Sequence, residues 1–227
     1  MVSIIIPVLN EEDLISGILN YLQSYSEDVP YEIIVVDGGS TDRTAELAVA
    51  GGAKLISSAR GRARQMNYGA EMARGDILYF LHVDTFPPAG FLKTIQQAVD
   101  DGHRAGCFQM KFDTDSKFLS FFAWFTKLNH SLCRGGDQSL FISRELFEES
   151  GGFDEKFMVY EDTEFIRRLY KMDHFKILPQ KVTTSARRYR QKGTIRLQYH
   201  FGVIHFKRMM GAGPRHLQDY YQRHIAS

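Results

Sequence analysis

Residues 2–25 read VSIIIPVLNEEDLISGILNYLQSY, and two hydrophobic periods meet inside that stretch. Val2–Val8 is a continuous run rich in β-branched residues, the pattern of a strand buried on both faces in a parallel sheet. Leu14, Ile15, Ile18, Leu19 and Leu22 then recur at the spacing of an amphipathic helix, predicted over Asn10–Tyr25. Asn10 stands at the N-cap position. Glu11, Glu12 and Asp13 fill the first turn, where the helix dipole favours acids.

The alternation continues outward. YEIIVVD (31–37) reads as a second strand, and GGSTDRT as a turn leading to a helix capped by Thr41 or Asp42 and running through Ala50. Ala53–Ser57 is a third strand, Arg62–Ala73 a helix and Asp76–Leu81 a fourth strand. This β-α-β-α-β-α-β order with short loops predicts an α/β fold with a parallel sheet covered on both faces. Ligands of such sheets sit beyond the carboxyl ends of the strands. Asn10, Asp37 and Asp84 all stand at or just past such ends. The second half is less regular. It predicts helices at Pro88–Asp101, Lys117–Leu132, Glu145–Glu149 and Glu161–Met172. Strands are expected at Ala105–Phe112, Ser139–Ser143, Phe175–Leu178 and Val182–Ser185. Gly151-Gly152 is a break, and helix resumes from about Thr194 until Gly211–Pro214 interrupts it.

The 227 residues are 44% hydrophobic, enough for a real core. No apolar run approaches the roughly 20 residues that span a bilayer. The N-terminus enters VSIIIPV without a basic region or cleavage site, so no signal peptide is expected. Cys107 and Cys133 form no CxxC pair and fit a reducing cytosol. The net charge of +1 conceals an asymmetry: Lys181–Ser227 carries ten Lys or Arg against one acid, Asp219, and the first 180 residues are correspondingly acidic. A basic tail implies an anionic partner such as phosphate, a lipid head group or nucleic acid, or simply a solvated basic helix. No base-reading motif accompanies it, which sets nucleic acid aside.

Several residues carry chemistry on their own terms. Asp37 can accept a hydrogen bond from a base N–H or a ribose hydroxyl, although an aspartate before Gly is also an ordinary turn residue. Arg60, Arg62 and Arg64 alternate before the fourth strand and can reach a diphosphate, for which Arg is well shaped; a solvated basic turn is the plain alternative. In LYFLHVDTFPP (78–88) an apolar run stops at His82-Val83-Asp84, a pair that can hold a metal or merely end a strand. Glu161, Asp162 and Glu164 open a helix, where the dipole alone would favour acids. FLSFFAWF (118–125) is apolar almost all round a helix, core by default and interfacial otherwise. His200 and His205 read as structural or exposed residues rather than ligands.

Taken in order, SIIIPVLNEE, IIVVDGGSTDRT, ARGRARQMNYGAEMARGDILYFLHVDT and GGFDEKFMVYEDTEFIRRL resemble the family 2 glycosyltransferases of the GT-A fold. The resemblance covers roughly residues 1–190. LHVDT and TSARRY are similar to a small bacterial branch with LHxDT in place of the usual DxD. It implies a Rossmann-like, mostly parallel sheet flanked by helices over 1–190, with 1–85 the nucleotide-binding half and 86–190 the acceptor half. Residues 191–227 form a basic helical extension.

The resemblance also implies transfer of one sugar, with inversion, from a nucleoside-diphosphate sugar, UDP-sugars first, with Mn²⁺ or Mg²⁺ as cofactor. Pro7, Leu9, Asn10 and Glu11 would line the nucleoside pocket, and Asp37, Arg64, His82 and Val83 would meet the donor. Asp84 matches the metal-ligating last Asp of DxD, where the ion neutralises charge on the departing diphosphate. His82 replaces the first carboxylate; a neutral imidazole suits Mn²⁺ better than Mg²⁺, or it bonds the ribose. Asp162 matches the general base. Asp137, Gln138 and Glu161 belong to the acceptor or donor-sugar side. Arg187 and Arg188 would meet the diphosphate or an anionic lipid. The processive signature Gln-x-x-Arg-Trp is missing there, which favours single-sugar transfer. The implied location is cytoplasmic, with peripheral contact at the inner face of a membrane, and the acceptor, which a lipid could carry, is undefined. Two alternatives stay open: a catalytically inactive sugar-nucleotide-binding or scaffolding protein, and a nucleotidyltransferase. The latter usually carries a Gly- and Lys-containing phosphate loop after strand one, which PVLNEE lacks.

Overall fold

β1 (Val2–Val8) lies inside a sheet of eight strands, in a computed structural model that describes residues 1–24, 28–172 and 175–226. β2 (Tyr31–Asp37), β3 (Lys54–Ser57) and β4 (Ile77–Phe80) join it in the order β3-β2-β1-β4, all parallel. The sheet continues through β7 (Leu140–Ser143), β6 (Ala105–Phe112), β8 (Phe175–Thr184) and β5 (Thr85–Phe86). β7 runs antiparallel to both β4 and β6, β6 and β8 are parallel, and β5 is antiparallel to β8.

The period of two in β1 explains its unbroken apolar run. Ile4 and Ile6 face a core that includes Ile15, Leu19, Phe91 and Ile95, supplied by α1 (Glu12–Ser24) and α4 (Phe91–Asp100). Ile5 faces the opposite core, with Met66, Leu146 and Phe165 from α3 (Arg62–Glu71), α6 (Arg144–Ser150) and α7 (Glu161–Met172). Both faces are covered, so both sets of alternate residues are mainly apolar, and the one hydroxyl, on Ser3, is buried and bonded to Glu32. A third cluster joins Leu119 and Phe157 to Leu197, Ile204 and Leu217. It seats α8 (Arg187–Lys192), α9 (Thr194–Met209) and α10 (Pro214–Tyr221), which ends in a π turn over 222–226. No helix among the described residues is long and apolar enough to cross a membrane.

Four expectations are corrected. Asn10 does not cap α1: it sits at φ 53°, and its Oδ1 accepts from the Thr41 amide at 2.8 Å. The Glu11 carbonyl takes the first helical amides instead, and Tyr25, the expected helix end, lies outside the described residues. α2 (Thr44–Ala50) starts late, with Asp42 accepting from the Thr44 amide at 3.0 Å. The aromatic helix ends as α5 (Lys117–Trp124) and breaks into 3₁₀ turns at Phe125–Lys127 and Ser131–Cys133. Buried Arg134 is the reason: its guanidinium binds the Thr126 carbonyl at 2.8 Å and the Leu128 carbonyl, groups a continuing helix would use itself. The two short strands expected over 175–185 are one strand, β8, with a register shift between Phe108 and Gln109 on its partner. Ser227, the last residue of the expected extension, is also outside the described residues.

Candidate functional site

β1, β2 and β4 are parallel, so their carboxyl ends open along one edge of the sheet. A cavity of about 1140 Å³ lies there, and Arg62, His82, Asp84, Asp137, Glu161 and Asp162 all line it. Tyr160, with left-handed backbone (φ 73°), lines it, and Asn10 (φ 53°) and Ser139 (φ 60°) are chain neighbours of lining residues. Such conformations cost free energy and persist where surrounding structure enforces them, often at functional sites.

His82 follows β4 by two residues and is held between carboxylates. Its Nδ1 lies 3.6 Å from Asp137 Oδ1 and its Nε2 3.5 Å from Asp162 Oδ2. Burial and the neighbouring Arg62 both oppose a second proton on the ring. The two carboxylates outweigh them and raise its pKa to about 10. The imidazolium presents one N–H toward Asp137 and the other toward Asp162.

Arg62 is the second cation. As the first residue of α3 it reaches back toward the cavity, since helical side chains tilt toward the N-terminus. Its Nη1 lies 3.1 Å from Glu161 Oε1 and 3.9 Å from Asp162 Oδ2. Glu161 is buried at the start of α7, and burial raises its carboxyl pKa even beside Arg62.

Asp84 is different in kind. Its carboxylate accepts no hydrogen bond among the described residues, and burial pushes its pKa upward. A carboxylate with no donor in a partly closed cavity is poised for a cation, and its hard oxygens suit Mn²⁺ or Mg²⁺. The described residues contain no group of three or more His, Cys, Asp or Glu fit to hold an ion. An ion at Asp84 would therefore draw its other ligands from water and from a bound molecule.

The other expected residues divide. Pro7, Leu9, Glu11 and Val83 line the cavity. Asn10 and Asp37 do not: Asn10 ties down the turn after β2, and Asp37 accepts from the Ser40 amide at 3.0 Å and the Ser40 hydroxyl at 2.5 Å. Arg64 points elsewhere and pairs with Glu155 at 3.3 Å. Gln138 is on the cavity wall, but its amide is engaged, accepting from Arg134 at 2.7 Å and donating to the Cys133 carbonyl at 2.8 Å. Arg187 pairs with Glu11 at 3.0 Å, and Arg188 donates to the Tyr221 hydroxyl at 2.5 Å. His200 and His205 bond Tyr220 at 2.7 Å and Tyr160 at 3.2 Å.

Sequence reasoning missed Arg134, whose guanidinium organises the loop that carries Asp137 into the cavity. Its one signal is an Arg directly after Leu132-Cys133 and before the Gly135-Gly136 pair. Sequence reasoning also missed that Tyr221 and Ile225, near the chain end, close one side of the cavity.

Comparison with known proteins adds an independent line. The sequence pattern of Glycosyl transferase family 2 matches residues 3–153. A glucosyl-3-phosphoglycerate synthase from Mycolicibacterium paratuberculosis is 31% identical over 96 residues, 38% of this chain and 29% of that protein. The chain thus spans under a third of the length of that relative. Among solved structures, the mannosyltransferase PcManGT from Pyrobaculum calidifontis, in complex with GDP-Man and Mn²⁺, superposes with a TM-score of 0.72 at 19% identity. That match covers 97% of this chain and 69% of the other. S. aureus TarS 1–349 in complex with UDP-GlcNAc gives 0.65 at 20% identity, over 81% of this chain and 58% of that one. These structural likenesses concern the fold.

Proposed function

The chain belongs to glycosyl transferase family 2, and on that premise we propose that it moves one sugar from a nucleoside-diphosphate donor to a hydroxyl acceptor. The observation that carries this reading is the convergence of Arg62, His82, Asp84 and Asp162 in one cavity at the carboxyl edge of the sheet. We take residues 1–85 as the nucleotide half and 86–190 as the acceptor half. The extension over 191–227 closes the acceptor side.

In this reading Pro7, Leu9 and Val83 flank the nucleoside, and Asp37 supports them through the Ser40 turn. UDP is the first nucleotide to test. The diphosphate lies toward Arg62, which takes the part expected of Arg64, and toward Arg187, which exchanges Glu11 for a phosphate oxygen. Asp84 would hold Mn²⁺ or Mg²⁺. When bound, that ion neutralises charge developing on the departing nucleoside diphosphate. His82 is not a ligand here. It positions Asp162 and Asp137, doing with a cation what the first acid of DxD does through a metal.

Asp162 is the general base. It takes the acceptor hydroxyl proton as that oxygen attacks the anomeric carbon, the bond from that carbon to the diphosphate oxygen breaks, and configuration inverts. Glu161 keeps Arg62 aimed into the cavity. Asp137 faces the donor sugar or acceptor. The free thiols Cys107 and Cys133 agree with a cytoplasmic enzyme.

The test is calorimetric titration with UDP, GDP and dTDP, each with and without Mn²⁺. Tight binding of one of them, strengthened by Mn²⁺, is expected. Absence of binding by all three would leave a scaffolding protein on a transferase fold. Asp162→Asn should leave donor binding within about twofold yet stop transfer, and retained turnover would remove Asp162 from the base role.

A further inference from the structure

The cavity has a polar half and an apolar half. The apolar half is built by the inner faces of two helices: Phe122 and Ala123 from α5, and Leu197 and Ile204 from α9. Both helices are also apolar on their outer faces, where no described part of the protein covers them.

On α9 the exposed residues Ile195, Tyr199, Phe206 and Met209 fall on one stripe, about 80° wide at 100° per residue, opposite buried Leu197 and Ile204. Ile195 is 73% exposed and Phe206 62%. On α5 the exposed residues are Phe118, Phe121 and Trp124, with Phe121 59% and Trp124 50% exposed. Their rings pack on one another and not into the core: Phe118 meets Phe122 at 5.0 Å, Phe121 meets Phe125 at 5.1 Å and Trp124 meets Phe125 at 5.5 Å. Each of these faces is an exposed apolar patch of the kind that marks interaction sites.

The charges around it select the partner. Lys117 and Lys127 stand at the ends of the aromatic segment, with the exposed Asp115 just before Lys117, and Arg196, Lys207 and Arg215 lie on or beside α9; Lys207 sits over the Tyr220 ring at 5.2 Å, and Arg208 turns to the inner side over Phe157 at 5.3 Å. None of these six cations is paired with a carboxylate among the described residues, and Asp219 is the only acid after residue 181. A second copy of the chain would bring the same cations face to face, which like-charge repulsion disfavours. An anionic surface with an apolar interior matches both features, as in helices that lie in the plane of a bilayer interface.

We propose that the outer faces of α5 and α9 dock on an anionic lipid bilayer and turn the apolar mouth of the cavity toward it. The protein lies on the membrane and does not cross it. Docking places the gap between α5 and α9 where an amphipathic acceptor could enter from the lipid with its hydroxyl leading. Only that delivery step rests on the transferase reading; the docking does not.

Trp124 is the sole tryptophan, so the native chain carries its own reporter. Vesicles of phosphatidylcholine, with and without phosphatidylglycerol, are titrated into the protein while Trp124 emission is followed and flotation is scored in parallel. The expected result is a shift to shorter wavelength and flotation with phosphatidylglycerol vesicles at low salt, reversed by high salt. Phe121→Ser, and separately Arg196→Glu with Lys207→Glu, should each lower partitioning at least tenfold while leaving the melting temperature unchanged. Unshifted emission with no flotation at low salt overturns the proposal. So does undiminished partitioning of both variants, or a dimer in light scattering whose Trp124 emission is already short before lipid is added, which would name a second copy as the partner. If vesicles bind while no nucleotide does, the docking stands and the transferase reading falls.

Discussion

The Nε2 atom of His82 lies 3.5 Å from Oδ2 of Asp162, and its other ring nitrogen faces Asp137 at 3.6 Å. His82 therefore bridges two carboxylates. Replacing it with a third acid is not a repair. His82→Asp would add another carboxylate to Asp84, Asp137, Glu161 and Asp162 and remove the cation that sits between two of them, leaving Arg62, Arg187 and Arg188 to balance five acids, and like charges in a partly closed site resist ionisation together. We expect His82→Asp to weaken nucleotide binding by about tenfold or more, ~1.4 kcal/mol, and to lower the melting temperature. Calorimetry decides it: affinity equal to or above that of the parent would mean the site prefers two acids.

Asp84 answers to a different experiment. Its carboxylate accepts no hydrogen bond among the described residues, and burial works against its charge. Burial outweighs the pull of His82, Arg62 and Arg187 on this carboxylate, so with Asp84→Asn the metal-free protein should be as stable as the parent or slightly more so. The same change should erase the Mn²⁺ dependence of nucleotide affinity. Paired melting curves and titrations with and without Mn²⁺ give both readings, and persistent Mn²⁺ dependence would move the ion elsewhere.

Much of this was legible in sequence, for reasons that can be traced. Val2–Val8, Tyr31–Asp37, Ala105–Phe112 and Glu161–Met172 are observed with the expected limits, because their hydrophobic periods end sharply. The place of the cavity was legible too, since parallel strands fix which edge is open. Which arginine of RGRAR enters the cavity was not. That depends on α3 starting at Arg62, a matter of one residue in helix phase. Nor could spacing reveal that Asp137 would meet His82, since a loop folded by Arg134 brings them together. β5, only Thr85–Phe86, is too short to show a period.

Away from the site, Glu32 offers a pH-dependent test of the fold. Its Oε1 accepts from the Arg74 amide at 2.6 Å and from Ser3 Oγ at 2.7 Å. Burial raises its pKa, but these bonds and the Arg74 side chain together lower it below the usual value. A depressed carboxyl stabilises the fold above its unfolded pKa, about 4.3, and that stability is lost as pH falls through the folded value. Glu32→Gln should cost about 1–2 kcal/mol at pH 7, with the difference shrinking below about pH 4. Urea melts across that range check it, and a cost independent of pH would assign Glu32 a packing role alone.

Arg134 carries the last prediction. It is 2% exposed, and its guanidinium binds the carbonyls of Thr126, Leu128 and Cys133, the Gln138 amide oxygen and the Tyr170 hydroxyl. Those bonds hold the chain from Phe125 to Gln138 in non-helical turns and so present Asp137 to His82. Arg134→Met keeps much of the volume but strands several buried carbonyls. Leaving a buried acceptor without its donor costs about 1–3 kcal/mol. The expected result is a fall of that size in urea stability, with new protease cleavage confined to residues 125–138. Local cleavage without a global loss would mean the loop opens on its own and Arg134 serves only the site. A global loss without local cleavage would mean its bonds serve the core, and the Asp137–His82 contact would need another cause.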